Sequence, residues 1–175
     1  MNYMDVLMFT QEEIKKTADI FSKAEELTGN HFKLSSSDWK RFKYDVKTLR
    51  ELDKNEISRE AFATLSKYTC RNESFDFGRR TFSFYKICLQ DHNIIKALKR
   101  DTDISFQGLL FYIAVHELIH IIRFNRFVTL FESDEQEKKE EEKTVHTATF
   151  NILRASPYFH DEAVLSCYEK YIHKM

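Results

Sequence analysis

The chain has 175 residues, 42% of them hydrophobic and 31% charged, a composition that predicts a single globular domain over residues 1–175 with a substantial core. Its 27 Lys and Arg residues nearly balance its 28 Asp and Glu residues, and the net charge of -1 gives no global attraction to nucleic acid or to an anionic membrane. We therefore expect neither nucleic acid nor a membrane as a partner.

The low content of turn-forming residues indicates the fold class. The chain contains only three Gly and one Pro, too few for many hairpins or for a Gly-rich phosphate loop. We therefore predict an all-α fold, a single-domain helical bundle. The first helix should begin after Thr10, which matches a capping box with Glu13, and should end after about Leu27. A second helix is predicted over residues 35–52, where apolar side chains recur at helical spacing.

The next part of the chain gives a mixed pattern. A short helix is predicted over residues 58–68, whose apolar side chains are spaced as on one helix face. Residues 71–83 contain alternating Phe residues, interrupted by Gly78, and are interpreted as a loop with a short extended piece. From Phe84 the apolar spacing becomes helical again, which predicts a helix ending near Arg100.

The most apolar segment of the chain should form the central helix of the bundle. A helix capped by Asp103 or Ser105 is predicted to continue to about Phe131, and it is apolar on nearly every face between Leu109 and Ile122. Such a helix should be buried.

Two more helices are predicted after the central one. Ser133 and Gln136 match a capping box that begins an acidic helix, whose later turns become apolar. A last helix is expected over residues 161–172, after Pro157.

Three ionisable residues, His116, Glu117 and His120, interrupt the apolar central helix. On a helix the two His lie one turn apart on the same face, the spacing needed to bind one metal ion. HELIH is the HExxH pattern, in which the two His bind zinc and the Glu is the general base. The alternative is a set of neutral core residues held by hydrogen bonds. Burying three such groups without strong compensation costs several kcal/mol, which favours a metal site.

Catalytic zinc usually has three protein ligands, and the following helix is the expected source of the third. If the two helices form an antiparallel hairpin turning near Ser133, His120 lies 13 residues before the turn (133-120) and His146 lies 13 after it (146-133). These two His should therefore lie at the same height. Glu142, one turn from His146, is the other candidate. Glu141 falls on a neighbouring, largely apolar stripe, formed by Val145, Ala148 and Ile152.

This pattern resembles that of the zincin metallopeptidases over about residues 109–153. In the gluzincin branch, the third ligand is a glutamate in an ExxxD motif on the following helix. Here HELIH is followed by EKTVH at 142–146. The resemblance implies His116, His120 and Glu142 as zinc ligands and Glu117 as general base. His146 stands where the family has Asp and could itself bind the metal. The family aligns an extended peptide on an edge strand, for which TFSFY is the only candidate.

The function predicted from these residues is a zinc-dependent, peptidase-like hydrolase acting on a peptide or small-molecule substrate. An iron protein is the first alternative, because Glu117 and His120 in an ExxH spacing, with Glu142 and His146, also resemble a di-iron or non-haem iron ligand set. A non-catalytic metal site joining two helices is the second. Three ligands plus water would favour catalysis, and four ligands a structural site. Further candidate site residues are Tyr112, Arg123, Asp91 and His92.

The chain gives weaker indications of its compartment and assembly. The N-terminal sequence lacks the basic region and small-residue cleavage site of a signal peptide, so we expect a cytoplasmic protein. Three widely spaced cysteines, Cys70, Cys88 and Cys167, are predicted to be free thiols. A surface cluster of Phe and Tyr residues could form a homodimer interface.

Overall fold

The computed structural model of the protein describes residues 7–71, 81–126 and 134–172. Within these ranges it has six α-helices and three β-strands. In chain order they are α1 (Gln11–Phe32), α2 (Ser36–Arg41), β1 (Tyr44–Lys47), β2 (Ala63–Arg71), β3 (Thr81–Leu89), α3 (Asp91–Arg100), α4 (Phe106–Arg126), α5 (Glu135–Arg154) and α6 (Glu162–Ile172). Two 3₁₀ turns, Leu49–Glu51 and Lys54–Glu56, lie between β1 and β2.

The predicted all-α fold is wrong, because the three strands form a mixed sheet beside the helices. The strand order is β1-β3-β2. Strand β1 is parallel to β3, with Tyr44 opposite Tyr85. Strand β2 is antiparallel to β3 along its whole length, from Ala63 opposite Leu89 to Arg71 opposite Thr81. Strand β2 is therefore an edge strand of the described sheet.

The sheet replaces helices that were predicted from apolar spacing. Residues 63–68, expected to be helical, belong to β2, in which Thr64 and Tyr68 have high strand propensity. The helix predicted from Phe84 begins only at Asp91, and the preceding residues belong to β3. In β3 the side chains of Tyr85, Ile87, Cys88 and Leu89 are completely buried, as expected of the central strand of the sheet.

The helix predicted over residues 35–52 is confirmed in its first part, where Ser35 caps α2, and is wrong after Arg41. Helix α2 ends at Arg41, and β1 follows at Tyr44. Pairing with the central strand β3 decides the conformation of Tyr44–Lys47, because a short segment gains more from sheet hydrogen bonds than from helix propensity. The extended piece predicted within residues 71–83 is confirmed at Thr81–Ser83 in β3, and residues 72–80 lie outside the described ranges.

The strongest helix predictions are confirmed. Thr10 caps α1 in a capping box with Glu13. Helix α4 lies at the centre of the helical layer, where it packs against α1, α5 and α6 and also contacts β2. Its side chains are buried almost continuously from Gly108 to Ile122.

The start of α5 differs from the prediction. The capping box of α5 is formed by Asp134 and Glu137 rather than by the predicted Ser133 and Gln136, and Ser133 lies outside the described residues.

Two side chains cap the first turn of α4. Ser105 Oγ accepts a hydrogen bond from the Gly108 amide at 2.9 Å. Asp161 Oδ2 accepts hydrogen bonds from the amide and hydroxyl of Ser105 at 3.0 and 2.6 Å. Asp161 Oδ1 accepts a further bond from the Val164 amide at 3.1 Å, in the first turn of α6. One carboxylate therefore caps two helices.

Gly108 leaves the space that this carboxylate occupies, and we predict that Gly108→Ala destabilises the protein. A Cβ atom at this position would lie 2.6 Å from Asp161 Cβ and Cγ, too close for either side chain to stay in place. We expect the free energy of unfolding to fall by about 1–3 kcal/mol in urea titrations. Alanine at the neighbouring exposed position, Gln107→Ala, is the control. A gain of about 1 kcal/mol in Gly108→Ala, the usual effect in an open helix, would contradict the prediction.

The length and apolar character of the helices decide whether any of them could cross a membrane. Among the described residues, no helix is both long enough and apolar enough to cross a bilayer.

Candidate metal centre

The predicted metal residues meet where α4 packs against α5. Helix α4 carries His116 and His120, and α5 carries Glu142. The two imidazole Nε2 atoms are 3.1 Å apart. Glu142 faces both of them, with Oε1 3.0 Å from His120 Nε2 and Oε2 3.4 Å from His116 Nε2. Three side chains from two helices therefore direct their ligand atoms to one point.

His146 reaches the same cluster from the next turn of α5. Its Nε2 atom is 3.8 Å from Glu142 Oε2, and its ring centroid is 4.4 Å from that of His116. One ligand atom from each of His116, Glu142 and His146 lies within 4.8 Å of the others. The other ring nitrogen of His146, Nδ1, is 2.9 Å from the Tyr112 hydroxyl, which fixes the orientation of the ring.

The predicted height of His146 is wrong by about one helical turn, because this residue lies beside His116 and not beside His120. Glu142 lies at the level of His120 instead, with Oε1 3.0 Å from His120 Nε2. The turn predicted near residues 132–133 lies outside the described ranges, except for the helices on either side of it.

The spacing of the ligand atoms fits a zinc ion. Atoms at the corners of a tetrahedron, each about 2.0–2.2 Å from zinc, are about 3.3–3.6 Å from one another. The separations observed here, from 3.0 to 3.8 Å, lie around that range. The Nδ1 atoms of His116 and His120 are buried and have no hydrogen-bond partner among the described residues. Buried polar atoms are rarely left unpaired, so these two nitrogens, which lie on the opposite side of each ring from Nε2, need partners other than an ion bound at Nε2.

Burial sets the charges of the cluster. It lowers the pKa of His116, and it lowers the pKa of His146 to about 4, assisted by repulsion from His116. Burial is the largest influence on His120 and opposes its charging, but the hydrogen bond to Glu142 and the attraction of the neighbouring carboxylates together outweigh burial and raise the pKa of His120. For Glu142, burial is again the largest influence, but hydrogen bonds and attraction to the two His together outweigh it and lower the pKa of the carboxyl group. A metal ion requires an ionised carboxylate and neutral imidazoles. The pKa shifts of Glu142, His116 and His146 favour this protonation state, and that of His120 opposes it.

Glu117 is adjacent to the ligands in sequence but is not one of them. Its side chain is buried, and burial raises its pKa to about 7. No ion pair to Glu117 is found among the described residues. Glu117 nevertheless lines the cleft that leads to the metal residues. A buried carboxylate of this kind is suited to exchanging protons rather than to stabilising the fold.

The ligands lie in an open cleft with a volume of about 710 Å³. The α4 and α5 side chains form one wall, and Ala63 and Leu65 of the edge strand β2 contribute to another. Aliphatic side chains line the part of the cleft nearest α3, among them Ala97, Ile104 and Ile113. A substrate therefore has access to the ligand atoms and to Glu117.

The four further candidate site residues predicted from the sequence divide into two groups. Tyr112 contacts His146, and Arg123 forms a bidentate ion pair with Glu141, so both belong to the surroundings of the metal residues. Asp91 does not, because its carboxylate accepts hydrogen bonds from the backbone amides of Phe9 and Leu49. His92 also lies outside the surroundings of the metal residues.

Two residues near the site were not predicted from the sequence. Tyr168 of α6 stacks on Tyr112 with ring centroids 3.8 Å apart and lines the cleft. Glu141, which lies within an acidic run, is buried. The only sequence signal for Glu141 is the apolar stripe that it shares with Val145 and Ile152.

Comparisons with protein-family models, with curated proteins and with solved structures each gave no match. The zincin resemblance therefore rests on the HELIH and EKTVH residues and on the geometry described above.

Proposed function

We propose that the protein is a cytoplasmic zinc-dependent hydrolase of the metallopeptidase type. His116, His120 and Glu142 would hold the zinc ion, and Glu117 would be the general base. One observation carries the proposal: the ligand atoms of these three residues converge within 3.0–3.4 Å of one another at the wall of an open cleft that Glu117 also lines. A site built only for stability would need no access from solvent.

The chemistry follows from the positions of these residues. A bound zinc ion would polarise a substrate carbonyl and lower the pKa of a water molecule toward neutrality. Glu117 would accept the proton of the attacking water and return it to the leaving amine. Tyr112 keeps His146 in place through its hydroxyl, and the aliphatic lining of the cleft offers an apolar surface to a substrate.

The edge strand β2 supports a peptide as the substrate. Its outer edge is not paired with another strand of the described sheet, and its first residues line the cleft with the HELIH side chains. An extended peptide can bind such an edge through backbone hydrogen bonds, as an additional strand. The proposed substrate is therefore an extended peptide segment, with a small molecule as the alternative.

A closed, non-catalytic metal site is the second candidate function. His146 favours it, because its Nε2 atom lies only 3.8 Å from Glu142 and could complete a set of four protein ligands. Such a site would join α4 to α5 or sense the metal ion, and it would leave no position for substrate.

The first test is the metal content of the protein, purified without an affinity tag and supplied with zinc. We expect about one zinc per chain in the wild type, as one tetrahedral site requires, and background levels in His116→Ala. His31→Ala, which removes an exposed imidazole far from the cluster, should keep its zinc. A wild-type chain that stays metal-free after zinc or iron is supplied would show that HELIH is only a core helix.

A further inference from the structure

The acidic run of α5 contains one residue whose surroundings differ from those of its neighbours. Glu140 is exposed and the Glu142 side chain is 44% exposed, whereas the Glu141 side chain is 6% exposed. Arg123 of α4 donates two hydrogen bonds to its carboxylate, at 2.6 and 2.7 Å. A buried carboxylate needs such a partner, and the ion pair explains how Glu141 can be charged in this position.

The ion pair with Arg123 leaves part of the carboxylate available to His120. Glu141 Oε1 lies 4.0 Å from His120 Nδ1, and this nitrogen has no hydrogen-bond partner among the described residues. The opposite nitrogen, Nε2, faces Glu142 and the proposed metal position. An imidazole that binds zinc through Nε2 must carry its proton on Nδ1. If that buried N–H found no acceptor, it would be an unpaired donor in the core.

We infer that Glu141 is a positioning residue for the metal centre, whose carboxylate accepts a hydrogen bond from the Nδ1–H group of His120 and thereby fixes the ring with Nε2 toward the metal. This inference rests on the proposed function, because it requires that His120 binds a metal ion. Glu141 touches neither metal nor substrate in this role. Acceptors of this kind hold a ligating His in one tautomer and raise its basicity.

Arg123 has a separate part in this arrangement. It neutralises the buried carboxylate, while the acceptor function belongs to Glu141 alone. A purely structural role for the pair, in which it only ties α4 to α5, makes a different prediction. In that case removing either partner would have the same effect, and the effect would be on folding rather than on metal binding.

The test compares zinc dissociation constants, measured by competition with a chromogenic chelator, for wild type and three variants. Glu141→Gln removes the charge but keeps the size, and we expect it to weaken zinc binding about 10- to 100-fold. Glu140→Gln, the same change one residue away on the exposed face, should leave the constant unchanged. Arg123→Met breaks the same ion pair but keeps the carboxylate, so its loss of affinity should be smaller than that of Glu141→Gln.

A second readout reports directly on the proton. In zinc-loaded wild type, nitrogen-15 spectra of the imidazoles should show an Nδ1-bound proton on His120 that exchanges slowly with water, and this protection should be lost in Glu141→Gln. Equal affinities in Glu141→Gln and wild type, or equal losses in Glu141→Gln and Arg123→Met, would overturn the inference while leaving the metal site standing. A wild type that binds no zinc would overturn the proposed function, and the inference with it.

Discussion

Glu117→Gln is expected to lower the rate of peptide cleavage by about 10²–10⁴-fold while zinc remains bound. Glutamine matches the shape of glutamate but cannot accept a proton from water at neutral pH. The ligand atoms belong to other residues, and Glu117 lines the cleft beside them. The substitution therefore removes the proposed general base and leaves the metal position intact. Its effect should be on the rate of the chemical step.

The measurement is the appearance of new amino termini in a mixture of unstructured peptides incubated with zinc-loaded protein. Zinc content is determined on the same samples. Glu60→Gln is the matched control, because Glu60 is an exposed residue on the lining of the same cleft. Its rate should equal that of the wild type. Unchanged cleavage by zinc-loaded Glu117→Gln would exclude Glu117 as the base, and cleavage by wild type that is independent of zinc would point to a contaminating protease.

Glu142→Ala is expected to lose zinc to background levels, whereas His146→Ala should retain about one zinc per chain. Among the described residues, only Glu142 has a carboxylate that faces both His116 and His120, at 3.4 and 3.0 Å. His146 is farther away, with its Nε2 atom 3.8 Å from Glu142 Oε2. Removing Glu142 leaves two imidazoles on one helix, too few ligands to hold a catalytic zinc ion.

Equilibrium dialysis against a zinc buffer, followed by metal analysis, measures this difference. Glu140→Ala controls for the loss of one negative charge from α5. Loss of zinc from both Glu142→Ala and His146→Ala would support a closed site with four protein ligands and the non-catalytic function. Retention by Glu142→Ala with loss from His146→Ala would make His146 the third ligand.

The helix that carries the site can be predicted from the sequence because its signals are local. Helix α4 is apolar on nearly every face between Leu109 and Ile122, where the ionisable residues of HELIH interrupt the pattern. The spacing of His116 and His120 follows from helix geometry alone. Glu142 could be named as a candidate because α5 has to pack against α4. These predictions required no knowledge of the sheet.

The sheet could not be predicted because its strands are defined by their partners. Apolar residues in Ala63–Arg71 and Thr81–Leu89 match helical as well as alternating spacing over short windows. Pairing of each with the other selects the extended form, and the spacing within either segment alone does not show that pairing. For the same reason β2 could not be recognised as the edge strand beside the cleft, and TFSFY, the expected candidate, lies in the central strand β3.

The burial of Glu141 could not be predicted from the sequence for a different reason. A carboxylate in an acidic run is expected to be solvated, and only the contact with Arg123, 18 residues earlier, makes its burial possible. The apolar stripe of α5 predicts which face is buried but not that a charged residue on it has a partner.

The hydrogen bonds of the Asp161 carboxylate have a consequence for local unfolding of the protein. Because this carboxylate caps the first turns of both α4 and α6, α6 cannot detach without exposing amide groups at the start of the central helix. The two helices should therefore belong to one cooperative unit in local unfolding. Tyr168, which α6 brings to the cleft, then remains in place as long as the HELIH helix itself is intact.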